Sequence, residues 1–235
     1  MVRLIVCFTF RKICQMLIAQ VTPRAGGYKL SGDYLDLRSL HRSLHEICDD
    51  ESDEDAFPEN LIYQLAYDVR KATDGRREKT KVESFDDRRV FYRSAILSFP
   101  RSVIQFAFLL RLIRSKPLPL QRTADYHAFG ATVGSALEQI GMHSPEKFMM
   151  EVSQSIDAWP TWPDAYLVDV IDLEFLCESR TRPKRISALK KLPDNLRHDG
   201  SYARTKFQKR NEYAASQGVA PESLGPVWPD EPPKY

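Results

Sequence analysis

The chain carries little that would announce a reaction. Its four cysteines, Cys7, Cys14, Cys48 and Cys177, are spread over 235 residues, with no CxxC and no histidine at metal spacing beside them. That excludes a disulfide framework and leaves thiols expected to be buried in a reducing cytosol. Gly130-Ala131-Thr132-Val133-Gly134-Ser135 has spaced glycines, but no lysine follows and no strand precedes, so it is not a phosphate cradle. Small residues four apart more simply let helices approach closely. Trp162-Pro163-Asp164 and Trp228-Pro229-Asp230 resemble the acid loop of tyrosine phosphatases. None of the four cysteines has the arginine six positions later that such chemistry needs, so loop packing or partner contacts are expected. No serine stands in a nucleophile-elbow context.

Long apolar runs are missing too. Met1 to Val21 is split by Arg11 and Lys12, with no small-x-small cleavage site after it, and Val103 to Ile113 is too short to span a bilayer. Residues 1–15 are therefore read as an N-terminal extension outside the fold, with Met16 a candidate start. The net charge of +2 gives the whole chain no pull toward a polyanion.

What is present is a 43% hydrophobic composition, enough for one sizeable core or two small ones. Charge is unevenly placed. Glu46 to Glu59 holds eight acids and no Lys or Arg, whereas Arg180 to Arg210 holds eleven Lys or Arg against Asp194 and Asp199 alone.

Met16 to Thr22, the Pro23–Gly27 turn and Tyr28 to Ser31 predict a β-hairpin, and Arg88 to Leu97 a third strand. Asp33 to Cys48 predicts a helix with Leu37, Leu40, Leu44 and Ile47 on one face. Pro58 to Asp74 predicts the next, and Val103 to Ile113, apolar nearly all round, a central buried helix. Further helices are expected at 123–140, 145–158, 164–179, 183–192 and 201–217. The fold class is α+β: a small antiparallel sheet of about three strands packed with a predominantly helical remainder. The expected organisation is an α+β core over 16–115, a helical region packed on it over 116–220, and a Pro-rich tail over 221–235.

His41 and His45 stand four apart on a predicted helix, a spacing that lets two imidazoles reach one metal. They lie at the edge of the apolar stripe and no Glu follows His41, so packed edge histidines, with no metal, are the expectation. Residues 67–79, YDVRKATDGRREK, divide by helical geometry. At 100° per residue, Asp68 falls beside Leu61 and Ala72 on the apolar face, and Arg70 points away with Tyr63 and Tyr67. A buried aspartate needs a cation, and the chain turns at Gly75, so Arg77 is its expected partner. Asp68, Gly75 and Arg77 are read as a structural clamp. Tyr63, Tyr67, Arg70, Arg76 and Glu78 are candidate binding residues.

The block Tyr67-Asp68-Val69-Arg70-Lys71-Ala72 followed by Gly75-Arg76-Arg77-Glu78 resembles that of a bacterial family known only as a domain of unknown function. That family's pattern is roughly Tyr-Asp-aliphatic-Arg-His-Ala, then Gly-x-Arg-Glu. Ser31-Gly32-Asp33-Tyr34-Leu35-Asp36-Leu37 is similar to its Ser-Gly-Asp-x-x-Asp-Leu lead into a first helix, and Ser98-Phe99-Pro100 stands where it has an aromatic-Pro pair. The resemblance covers residues 16–114, and more weakly the helices beyond, and implies Met16 as the ancestral start. Lys71 replaces the family's frequent histidine, which weakens any imidazole role there. No activity is implied.

The leading expectation is a non-enzymatic bacterial binding or adaptor protein of the cytoplasm, with a protein partner, no cofactor and no membrane. One alternative is an enzyme acting on a phosphate-bearing substrate, with Arg70 and Arg76 on the anion and Glu78 or Asp68 as acid or base. The other is a nucleic-acid-binding protein using Arg182, Lys184, Arg185, Lys190, Lys191, Arg204, Lys206, Lys209 and Arg210, interleaved with Tyr202, Phe207 and Tyr213.

Overall fold

Pro23 to Gly26 turns the chain between β1 (Leu17–Val21) and β2 (Gly27–Gly32), an antiparallel pair in which Val21 faces Tyr28. Gly27 is required there, because a Cβ would collide with the Leu97 carbonyl on the neighbouring strand. In the computed structural model, which describes residues 17–49, 57–82, 90–115, 118–160, 165–178 and 181–226, the sheet has four strands in the order β1-β2-β4-β3. All pairs are antiparallel, with β3 at Lys79–Val82 and β4 at Val90–Ser98. The additional strand, β3, is short and lysine-rich, with no apolar alternation to mark it in the sequence. It forms as an edge strand, where the exposed Lys79 meets solvent at little cost. At the opposite edge, Gln139 docks its amide on β1, donating to Ala19 O at 2.9 Å and accepting from Val21 N at 3.2 Å.

Helices fill the rest. Between β2 and β3 run α1 (Tyr34–Asp49) and α2 (Phe57–Thr73). Asp33 caps α1, its Oδ1 accepting from Asp36 N at 2.8 Å. Gly75, at a φ of 71°, ends α2 and lets Arg76 N return to Lys71 O. Leu37, Leu40, Leu44 and Ile47 of α1 meet Leu61, Ile62, Leu65 and Val69 of α2, all buried. Each such side chain contributes roughly 1.5–3 kcal/mol of gross burial.

After β4 comes α3 (Phe99–Ser115), the central helix, packed against α2, β4 and the helices that follow. Gln105 is the polar break in its apolar surface, and it donates to Leu61 O at 2.9 Å, pinning α3 to α2. Then follow α4 (Leu120–Gln139), α5 (Pro145–Asp157) and α6 (Ala165–Leu173), which widens into a π-helical turn at Glu174–Glu178. The chain continues through α7 (Arg182–Lys190), α8 (Leu192–Asn195) and α9 (Ser201–Gln217). Gly130 of α4 lies flat against the Phe106 ring, where a Cβ would clash, and Gly134 faces Met149. The spaced glycines are thus a helix-packing seam. One buried cluster runs from Ala25 to Ala203 and draws residues from both sides of the connector at 116–119.

Among the described residues no helix is long and apolar enough to cross a membrane. Cys177, a thiol in no disulfide, is half-buried. The extension 1–15, the acidic stretch 50–56 and both Trp-Pro-Asp segments lie outside the described residues.

Candidate functional site

Tyr63, Tyr67 and Arg70 recur at spacings of four and three on α2, which puts them on one face. The same holds for His41 and His45 on α1. The helices run in opposite directions, so His45 meets Tyr63 edge-on with ring centroids 5.8 Å apart, while His41 lies within reach of the Arg70 charge. With Ala165, Val168 and Asp169 of α6 these residues enclose a cavity of about 520 Å³, open to solvent, to which Asn60 and Gln64 add side-chain amides.

Among the described residues the lining carries one cation, Arg70, and one carboxylate, Asp169, which Arg101 engages. The Arg70 guanidinium sits 5.2 Å from the Tyr67 ring centroid, and the Lys71 ammonium 4.1 Å from the same ring. Among the described residues Arg70 has no carboxylate partner. Burial, then the neighbouring His45 and then Arg70, push the His41 imidazole below its ordinary pKa, so it stands neutral, one nitrogen donating and one accepting. The two imidazoles have centroids 5.9 Å apart, and no group of three His, Cys, Asp or Glu that could hold a metal occurs among the described residues.

Behind this cavity lies a second, narrower cleft of about 280 Å³, and the two share Gln64 and Tyr67. Arg101, in the first turn of α3, builds the wall between them. Its Nη2 donates to Asp169 Oδ1 at 2.6 Å, its Nε to Asp172 Oδ2 at 3.1 Å, and its Nη1 to Gln64 Oε1. Asp172 is buried and also accepts from Ser98 Oγ. Burial drives the Asp172 carboxyl above the usual carboxylate range, and Arg101 pulls it back only in part. Arg101, with two carboxylates around it, is held protonated. Sequence reasoning passed over this network. Its signal was Asp169 and Asp172, three apart on an otherwise apolar helix, a pattern that calls for a cation.

The structure brings some of the expected residues together and separates others. Arg77 Nη2 donates to Asp68 Oδ1 at 2.8 Å around the Gly75 turn. The expected burial is corrected: their side chains are 42% and 34% exposed, because Asp68 opens onto the second cleft instead of the core. Burial nonetheless raises the Asp68 pKa, with Arg77 opposing. Arg70, Arg76 and Glu78 do not converge. Arg70 lines the cavity, Arg76 lies 4.0 Å from Asp74, and Glu78 pairs across the sheet with Lys29 at 2.7 Å. A phosphate-transfer constellation of those three residues is therefore not assembled.

The basic segment is largely engaged internally. Arg185 is corrected from a surface cation to a core residue: it is 1% exposed, donates to Leu176 O at 2.9 Å and stands over Phe175. Its place on the stripe with Leu189 and Leu192 explains that burial. Lys206 pairs with Glu174, Arg182 donates to Gln139 O, and Arg204 donates to Asp199 O. Arg210 packs over Tyr166 and Phe207. Lys184, Lys190, Lys191 and Lys209 face solvent, as does Tyr213, while Tyr202 and Phe207 turn inward onto the core.

No curated protein and no solved structure matches the chain. A family match covers residues 17–231, from β1 through the cavity and both halves of the core. The chain belongs to the family described as Domain of unknown function (DUF6904).

Proposed function

We propose that the chain is a binding protein for a small ligand that presents an anionic group on a planar ring, held in the cavity between α1, α2 and α6. The observation that carries this is Arg70: a guanidinium without a carboxylate partner among the described residues, stacked on Tyr67 at the wall of a cavity of about 520 Å³. That volume falls in the range of small-molecule sites, and a planar guanidinium takes carboxylate or phosphate through two parallel hydrogen bonds. The Tyr67 face offers the ring a platform. The neutral His41 and the amides of Asn60 and Gln64 supply donors and acceptors for the ring's edge. Among the described residues the cavity lining holds no serine, threonine or cysteine.

Calorimetric titration with nucleoside 5′-monophosphates, phenyl phosphate and inorganic phosphate tests the reading. The ring-bearing phosphates are expected to bind more tightly than phosphate alone. Arg70→Ala is expected to weaken them roughly 10- to 100-fold, as loss of charge-assisted hydrogen bonds implies. Arg70 is exposed, so the variant's melting temperature stays at the wild-type value. No binding at millimolar ligand, or binding indifferent to Arg70→Ala, would overturn it.

A further inference from the structure

We propose that the cavity is one end of a longer track along α1 and α2 that takes single-stranded nucleic acid, with the cavity holding one nucleotide. This rests on the reading of the cavity as a site for a ring-bearing anion, and extends it. On α1, Tyr34, Arg38, His41 and His45 follow one another at spacings of four, three and four, a single stripe by helical geometry. The histidines line the cavity. Beyond them the stripe continues into a second aromatic and basic cluster. Tyr34, 42% exposed, has Arg38 at 5.7 Å and Arg93 of β4 at 5.1 Å from its ring centroid, and Arg38 Nη1 donates to Tyr34 OH at 3.2 Å.

Two clusters therefore repeat the same grouping along one face: Tyr67 with Arg70 and Lys71, and Tyr34 with Arg38 and Arg93. None of these four cations pairs with a carboxylate among the described residues. Of the acids near the cavity, Asp169 is held by Arg101 and Asp74 lies beside Arg76, while Asp33, next to Tyr34, accepts from Asp36 N as the cap of α1. Cations alone would serve an acidic peptide equally well. The interleaved exposed rings favour nucleic acid, since bases stack on tyrosine and on guanidinium planes while phosphates meet the charges. The 180–210 segment offers the contrasting case, because Tyr202 and Phe207 pack inward and leave its lysines without exposed platforms.

The test is fluorescence anisotropy on the full chain with labelled oligothymidylate and oligouridylate of about 12 nucleotides, within the range of single-strand site sizes. A duplex of the same length and a polyglutamate peptide are the comparisons. With four phosphate contacts the slope of log K against log salt is expected near about −3. Arg38→Ala/Arg93→Ala removes two contacts, one from the exposed Arg38 and one from the half-buried Arg93, halves the slope to about −1.5 and weakens binding at low salt at least about tenfold, while thymidine monophosphate binding is unchanged. DNA and RNA arms distinguish which strand is preferred, and either preference supports the track. An oligonucleotide that binds no more tightly than thymidine monophosphate, or an unchanged slope in the double variant, overturns the track and leaves the cavity reading standing. Equal binding of polyglutamate overturns it in favour of an acidic protein segment. Absence of any binding, monophosphate included, removes both readings.

Discussion

Replacing Arg101 with methionine asks whether the wall of the site is held by charge. Arg101 is 19% exposed, its partner Asp169 30% and its partner Asp172 5%. Without the guanidinium, Asp169 can turn to water, but among the described residues Asp172 keeps only Ser98 Oγ as a side-chain donor. Breaking a buried pair by removing one partner costs about 3–5 kcal/mol, and since one of the two carboxylates can resolvate, the low end of that range is expected. For a chain of this size a loss of about 3 kcal/mol lowers the melting temperature by roughly 6–12 °C. The pH dependence carries the sharper test. Burial already holds the Asp172 pKa above its unfolded value, and loss of Arg101 raises it further. A fold that binds a proton more tightly than the unfolded chain loses stability as pH rises through that window. Wild type and Arg101→Met should therefore converge at acid pH, where Asp172 is neutral, and part toward neutrality. Urea unfolding between about pH 4 and about pH 8 measures this. Adding Asp172→Leu to Arg101→Met should recover stability to within about 1 kcal/mol of wild type. A deficit constant with pH, or no recovery in the double variant, would refute the idea that a stranded charge is the cause.

Two further outcomes follow from the charges around α1 and α2. Burial and the neighbouring Asp33 raise Asp36 to about 6. Its folded pKa lies above the unfolded one, so wild type loses stability as pH rises from about 4 to about 6. Asp36→Asn, melted across that window, should lack the loss and end ~1 kcal/mol more stable at neutral pH, after discounting for partial exposure. Asp68→Ala should cost at most ~1 kcal/mol by urea midpoint, because a half-exposed ion pair contributes little. A loss of about 3 kcal/mol or more would show that Asp68 is a buried clamp after all.

Much of the helical part of the fold was legible in the sequence, for identifiable reasons. Leu37, Leu40, Leu44 and Ile47 mark a helical face by spacing alone, and Gly75 marks where α2 stops. The strand at Lys79–Val82 was not legible, because its formation depends on pairing with β4 and not on its own apolar pattern. Helical geometry also grouped Tyr63, Tyr67 and Arg70, which does line the cavity. The opposing wall could not be read that way, since His41 and His45 reach it only through the packing of α1 on α2. Asp68 was misplaced by the same reasoning that placed Arg70 well. An angle on a helical wheel says which residues share a face, and only the neighbouring helix decides how far that face is covered. Arg185 shows the converse: counted among surface cations by composition, it belongs to the core by its stripe with Leu189 and Leu192.

Gln139 on the edge of β1 has a consequence for how the molecule behaves toward its own copies. An edge strand with open amides and carbonyls is a template on which another chain can add a strand. Here a side-chain amide imitates that added strand, bonding to Val21 N and Ala19 O from 118 and 120 residues away. The plug is formed only when the last turn of α4 has docked. Until then the growing sheet is exposed at β1, so the interval between hairpin formation and helix docking is when the chain is most open to self-association. Among the described residues, the Gln139 amide and the packing of α4 on β1 are what close this boundary of the sheet.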